Sequence, residues 1–418
     1  MKENIASNIN DPAELESLYR LNPSEFTREF NSIYPGLINN QLAVFWHERL
    51  NFRSSVTSTE IPSIMKSELV FVIFASLLAA FLAKIPYIFQ TDENFYYPRN
   101  IGFIVFPVLI TYFAWKNNLS KTKIFFAATA ILISAVFINL LPVNDSSDTL
   151  KLACIHLPLF LWTLLGFAFA GDELNDYKKR LGFLRFNGDF IVITTIILIS
   201  GGILTAITQL LFSLIGMEIS EFYGQFIIVP CLAAVPVVGT YVIRRNPQLV
   251  SKVSPLIAKI FSPMVLITLI AYLIAIVVTG KDPYGDREFL LTFNILLIAV
   301  MSLIVFSVAG TSRSERNSRQ MLILLILSLV TVIVNCIALS AIIFRISEWG
   351  ITPNRLAVLG GNVLILSNLL LVTFKLFMTI FKKREPEEVE MRISKFLPLY
   401  LIWALIVVFV FPLLFDFK

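Results

Sequence analysis

Met321-Leu-Ile-Leu-Leu-Ile-Leu-Ser-Leu-Val-Thr-Val-Ile-Val-Asn-Cys-Ile-Ala-Leu-Ser-Ala-Ile-Ile-Phe344 runs for 24 residues without a charge. At about 1.5 Å of rise per residue, a helix of this length reaches ~36 Å, more than the ~30 Å of a bilayer's hydrocarbon. No water inside that layer can satisfy exposed N–H and C=O groups, so the segment must be helical. Ten further apolar runs flank it, at Leu69–Ile88, Ile101–Trp115, Ile124–Leu141, Leu150–Ala170, Asp189–Ile215, Phe226–Ile243, Ile260–Thr279, Phe289–Ala309, Leu356–Phe381 and Phe396–Phe415. The reading is an all-α, polytopic transmembrane helix bundle of about eleven helices. The second run is short and is expected to tilt little or to be partly re-entrant; the fifth is long and is expected to tilt strongly.

Composition agrees. Of 418 residues, 56% are hydrophobic and 15% charged. A soluble domain carries roughly 25% charged and 45–50% apolar residues, and a single core stops growing at a few hundred residues. Lipid is the simplest solvent for the surplus. The net charge of +5 fits a multi-pass protein that keeps lysine and arginine on the cytoplasmic side. No basic stripe with interleaved aromatics speaks for nucleic acid.

The loops test the count independently. Every second loop, starting between runs two and three, carries many Lys and Arg; the intervening loops carry few. The rich set is thereby assigned to the cytoplasm. The amino terminus joins it through Arg49, Arg53 and Lys66, and an odd number of crossings places Lys418 outside. Residues 1–68 read as a cytoplasmic helical region and linker, ahead of a transmembrane domain over 69–418. Asp11-Pro12 and Asn22-Pro23 each set a capping residue before a proline, a helix start. Ser54–Ser67 reads as linker. Met1–Asn10 has no apolar core of signal-peptide type.

Chemistry-bearing residues are sparse. Cys154, Cys231 and Cys336 lie in apolar runs without CxxC spacing, and only His47 and His156 are present, so neither a metal site nor a cofactor is expected. Phosphate-loop, HExxH and GxSxG patterns are missing, and enzymatic activity is the less favoured class. Lys84 and Lys375 sit near helix ends and are expected to snorkel. His156 reads as a satisfied interfacial histidine.

The most distinctive connector is Arg345-Ile-Ser-Glu-Trp-Gly-Ile-Thr-Pro-Asn-Arg355. Thr352 before Pro353 is a helix start whose free N–H groups favour anions. Arg345, Glu348, Thr352, Asn354 and Arg355 are therefore a candidate anion or solute site; the plainer reading is a hairpin clasp in which Glu348 pairs an arginine. Asn294, Asn335, Asn362 and Asn368 form a candidate intramembrane polar cluster, which serves either as helix-packing glue or as a polar pathway. Ser200-Gly201-Gly202 and Pro230, Pro236, Gly239 could interrupt the fifth and sixth helices, as transporters do at their binding sites. Asp92-Glu93 is a weaker candidate, an acidic pair of the kind used by membrane transferases.

Arg345–Leu356, Leu359–Leu366, Arg244–Pro255 and Ile260–Pro263 together resemble a bacterial polytopic membrane family, domain of unknown function 4153, over residues 150–415. That resemblance implies a bacterial inner (cytoplasmic) membrane location and supplies no catalytic residues. The leading expectation is a permease-like protein for a small polar or anionic solute. The alternatives are a membrane-embedded transferase acting on a lipid-linked substrate at the outer face, and a non-catalytic assembly or sensing subunit. Expected partners are membrane lipids and a cytoplasmic protein docking on residues 1–68.

Overall fold

The computed structural model describes residues 1–51, 60–144, 146–214, 217–246, 253–279, 284, 287–310, 318–382 and 387–417. Among these the chain is helical throughout, with no strand, and divides into two units, Met1–Phe71 and Val72–Lys418.

The first unit holds α1 (Lys2–Ser7), α2 (Pro12–Leu21), α3 (Pro23–Ile33) and α4 (Gln41–Asn51). The two proline starts are real caps. Asp11 accepts hydrogen bonds from the N–H groups of Ala13 and Glu14, and Asn22 accepts one from Glu25. Each cap satisfies donors that the first helical turn leaves orphaned. Ile5, Leu15, Phe26, Phe30, Ala43 and Trp46 then close a small core. The Phe26 and Trp46 rings lie 5.2 Å apart. Arg49 covers Trp46 at 4.4 Å and reaches Glu16 at 2.8 Å, while Arg20 holds the same carboxylate at 3.0 Å. These bonds keep the Glu16 carboxyl below its ordinary pKa, with Arg20 acting most strongly. His47 stacks on Tyr34 at 3.7 Å.

Residues 52–59, which include the first part of the stretch read as linker, lie outside the described residues. α5 (Glu60–Ala83) begins directly after them, so the last polar residues before Leu69 extend a helix.

In the second unit α5 is followed by α6 (Ile85–Phe89), α7 (Glu93–Lys116), α8 (Lys121–Leu140), α9 (Asp148–Ala170), α10 (Tyr177–Leu214) and α11 (Ser220–Arg245). Then come α12 (Val253–Thr279), α13 (Arg287–Gly310), α14 (Ser318–Trp349) and α15 (Pro353–Phe381). The last helix, α16, runs as Glu387–Leu405, a π turn Ile406–Val410 and Phe411–Leu414. Each apolar run, so far as its residues are described, falls on a helix, the first run being divided between α5 and α6 at Lys84. Among the described residues, seven helices are long and apolar enough to cross a membrane: α8, α9, α10, α11, α14, α15 and α16. Their outward surface is greasy, with Phe125 74% exposed and Leu140 78%. A water-soluble surface does not carry contiguous large apolar side chains on this scale.

Two expectations change. The second run underestimates its helix: α7 has 24 residues, because its polar first turns (Glu93–Asn100) are invisible to a hydropathy reading. In the fifth run, α10 passes unbroken through Ser200-Gly201-Gly202. The Ser200 hydroxyl donates back to Ile196 O at 2.8 Å, and nothing lies within 4 Å of a Cβ added at either glycine. The sixth run carries a π turn at Gly224–Ile228, ahead of Pro230, and is not broken. A Cβ on Gly239 would lie 2.9 Å from Thr194, so this glycine permits close α10–α11 packing.

The main core joins α13 (Phe293, Leu297, Ile304), α14 (Leu324, Leu327, Val334), α15 (Leu369, Val372, Leu376) and the start of α16 (Val389, Ile393). Leu181 and Leu184 of α10 and Leu269 of α12 complete this core, which is the setting of the candidate polar cluster.

Candidate functional site

The α14–α15 hairpin comes first. Gly350 takes φ +75°, the left-handed region that ends α14. Arg355 reaches back from the next helix and donates to the carbonyls of Trp349 (2.8 Å) and Gly350 (2.7 Å). It therefore caps the orphan carbonyls at the α14 end, where a cation is also favoured by the helix dipole. Both guanidinium groups lie against Trp349, Arg345 at 5.0 Å and Arg355 at 5.6 Å. Thr352 caps α15 by accepting from Arg355 N–H at 3.3 Å.

The hairpin thus brings Arg345, Thr352 and Arg355 together but engages two of them internally. Asn354 is half-buried and makes no side-chain hydrogen bond among the described residues. Glu348 is exposed and pairs with neither arginine, which corrects the clasp reading: Trp349, not Glu348, is what the arginines share. Arg345 keeps a buried Nη1 without a partner.

The amides are brought together more fully. Asn335, Asn362 and Asn368 are 0%, 2% and 1% exposed. Asn362 donates to Asn294 Oδ1 at 2.9 Å, and Asn335 donates to Asn362 O at 3.3 Å. One network therefore ties α13, α14 and α15. Asn368, about 9 Å further along α15, donates to the Tyr400 hydroxyl at 3.0 Å. The network is incomplete: Asn335 Oδ1, Asn368 Oδ1 and Trp403 Nε1 are buried without partners. Turning the Asn368 amide would only exchange which of its atoms is orphaned. A buried polar atom in that state costs about 1–3 kcal/mol. Trp403 belongs to the same wall, its ring lying against the bare Cα of Gly360. Tyr400 and Trp403 were not among the sequence candidates. Only the antiparallel pairing of α15 with α16 brings them to Asn368 and Gly360.

Asp92 and Glu93 do not join the hairpin arginines. Asp92 caps α7, accepting from Asn94 N–H at 2.9 Å, and Glu93 acts electrostatically on Lys84 and Tyr97. No hydrogen bond or ion pair among the described residues links either acid to Arg345 or Arg355.

Lys84 does not snorkel. It is buried, donates to Gln225 Oε1 at 2.7 Å and lies 3.8 Å from the Tyr87 ring centroid and 4.9 Å from that of Phe226. Aromatic faces and one amide replace the headgroup contact. Lys375 likewise finds protein instead of lipid, pairing with Glu388 at 2.6 Å. His156 is satisfied within its own helix, its Nδ1 2.9 Å from Leu152 O.

Sequence reasoning also passed over Arg99, counting it only as a loop charge. It is 3% exposed and donates to Ile138 O and Leu141 O at 2.9 Å each and to Pro142 O at 3.3 Å. It closes the end of α8 as Arg355 closes α14. Beside it, Asn100 and Asn139 exchange reciprocal amide bonds of 2.9 Å. An arginine read from sequence carries no sign that its partners are backbone carbonyls some forty residues away.

Comparison with family models, curated proteins and solved structures finds no match.

Proposed function

We propose that this chain is a permease-like membrane protein that handles a small polar solute among α13, α14, α15 and α16. One observation carries the reading. Two amide oxygens and an indole N–H are buried without partners between otherwise apolar helices. Helix-packing glue gains from satisfied amides, and an orphaned atom weakens it. A site that takes a hydrogen-bonding guest needs such atoms. Amide groups offer both acceptor and donor and the Trp403 indole N–H donates, so the matching solute carries groups that do both, as hydroxyls do. Arg355 and the first turn of α15 are occupied by capping, which leaves Arg345 alone for an anion. A donor-bearing polar solute is therefore favoured over an anionic one.

The wider proposal keeps about eleven crossings, a cytoplasmic amino terminus, Lys418 outside, a bacterial inner membrane and kinship with the family of domain of unknown function 4153. The loop charges and the matching helices support it.

The test uses full-length protein with Cys154, Cys231 and Cys336 replaced by serine. Asn335→Cys and Asn368→Cys are introduced singly and exposed in proteoliposomes to the cationic thiol reagent methanethiosulfonate ethyltrimethylammonium. Both positions are expected to react, while Leu370→Cys, on the outward face of α15, stays unmodified. If both amide positions resist the reagent in monodisperse protein, the polar pathway is wrong.

A second reading, a partner-binding role for the first unit, draws on its exposed Leu21, Ile38 and Phe45. If Phe45→Asp leaves every co-purifying protein in place, that reading loses its support.

A further inference from the structure

α9, the connector 171–176, α10 and α16 enclose a half-open groove of about 290 Å³. Trp162 and Phe167 from α9, Phe183 from α10, and Leu397 and Leu401 from α16 give it an apolar wall. Arg180, Asn175 and Thr163 are its polar lining. Thr163 is committed to its own helix, donating to Phe160 O at 2.6 Å. Arg180 is not committed. Its Nε is sealed from solvent without a partner, and its guanidinium makes no ion pair among the described residues.

The neighbouring acids are occupied elsewhere. Asp172 pairs with Lys123 at 3.0 Å, and that lysine holds its carboxyl below the ordinary value. Glu173 lies 3.8 Å from Lys179, and Asp176 accepts from the Lys178 backbone N–H at 2.8 Å. The three acids Asp172, Glu173 and Asp176 stand against Lys123, Lys178, Lys179 and Arg180, so the local balance is positive and open to an anion.

We infer that this groove binds an anionic phospholipid, its phosphate on Arg180 and a stretch of acyl chain along Trp162, Phe167, Phe183 and Leu401. The guanidinium fork matches a phosphate's oxygens. A phosphate would also satisfy the buried Nε, which no side chain here does. The apolar wall rules against a free ion as the intended occupant, since an inorganic phosphate would leave it bare. Arg180 stands in the first turn of α10, beside the end of α9, and helix ends are where a bilayer's phosphates lie. The Arg180 guanidinium repels a choline ammonium and so favours a headgroup of net negative charge. This site is separate from the solute pathway and stands or falls without it, resting only on the membrane setting of α9, α10 and α16.

The experiment is native mass spectrometry of the full-length, delipidated protein in detergent, titrated with phosphatidylglycerol, phosphatidylcholine or inorganic phosphate. One phosphatidylglycerol is expected to bind at least tenfold more tightly than phosphatidylcholine, with no response to phosphate alone. Arg180→Gln and the groove-filling Leu401→Trp should each weaken phosphatidylglycerol at least fivefold, and Lys178→Gln less than twofold. Equal binding of the two lipids, or phosphate binding as tightly as lipid, overturns the proposal. So does wild-type phosphatidylglycerol affinity in both groove variants. Should Arg180→Gln fail to give monodisperse protein, Leu401→Trp decides by the same criterion.

Discussion

Gly360 and Gly361 are adjacent in α15 and differ only in what surrounds them, so alanine at each measures the α15–α16 packing directly. A Cβ at position 360 would sit 2.0 and 2.1 Å from two ring carbons of Trp403, whereas a Cβ at 361 meets nothing within 4 Å. Carbon atoms prefer about 3.5–4.0 Å, so Gly360→Ala requires the indole to retreat by roughly 1.5 Å. Overpacking on that scale costs about 1–3 kcal/mol. Both substitutions gain the ~0.5–1 kcal/mol that alanine holds over glycine in a helix. Gly361→Ala should therefore be neutral to slightly stabilising, and Gly360→Ala destabilising by ~1–2 kcal/mol. Thermal unfolding in detergent, with each variant beside wild type, reads the difference. Trp403→Leu in the Gly360→Ala background should recover most of the loss, since the two positions are in contact and their effects do not add. Equal melting shifts for the two alanine variants, or no rescue by Trp403→Leu, would refute the packing described for this wall.

Two further outcomes are expected. Arg99→Ala strips three carbonyls of a buried, charged donor, and a loss of about 1–3 kcal/mol follows from leaving such buried acceptors unsatisfied. Arg99→Lys should recover only part of it, because an ammonium cannot fork across Ile138, Leu141 and Pro142; detergent unfolding of the pair checks this. In the first unit, Arg20 and Arg49 hold the Glu16 carboxyl below its ordinary pKa. Its contribution is thus complete above the unfolded value near 4.5 and disappears as pH falls through the lower folded one. Hydrogen exchange in Pro12–Leu21 and Gln41–Asn51, corrected for intrinsic rates, should rise between pH 6 and pH 3 in wild type and be nearly flat in Glu16→Gln.

What could be read from the chain was what depends on local order. Uninterrupted apolar length marks the helices, and Asp11, Asn22 and Thr352 announce their starts because a cap bonds within its own turn. What could not be read depends on which helices meet. The sequence presents Arg345, Glu348 and Arg355 as a charge triplet. Their roles divide only when α14 ends at Gly350 and leaves carbonyls for Arg355 to take. Lys84 and Lys375 look like headgroup contacts until Gln225 and Glu388 arrive from elsewhere. The polar cluster was half legible. Its four asparagines stand out in apolar runs, but Tyr400 and Trp403 are ordinary aromatics until α16 lies against α15. The glycines of α10 misled in the opposite direction, since a helix surrounded by lipid tolerates them without breaking.

The most direct test concerns the helix on which the solute site rests. On this account α15 crosses the bilayer with lipid along its outward face, so the residues flanking it emerge on opposite sides of the membrane. Glu348→Cys and Lys382→Cys, each in the background with serine at 154, 231 and 336, are labelled in intact and permeabilised cells with an impermeant maleimide. The account predicts that the position 348 thiol reacts in intact cells and that the position 382 thiol reacts only after permeabilisation. Labelling of both from the same side would contradict it.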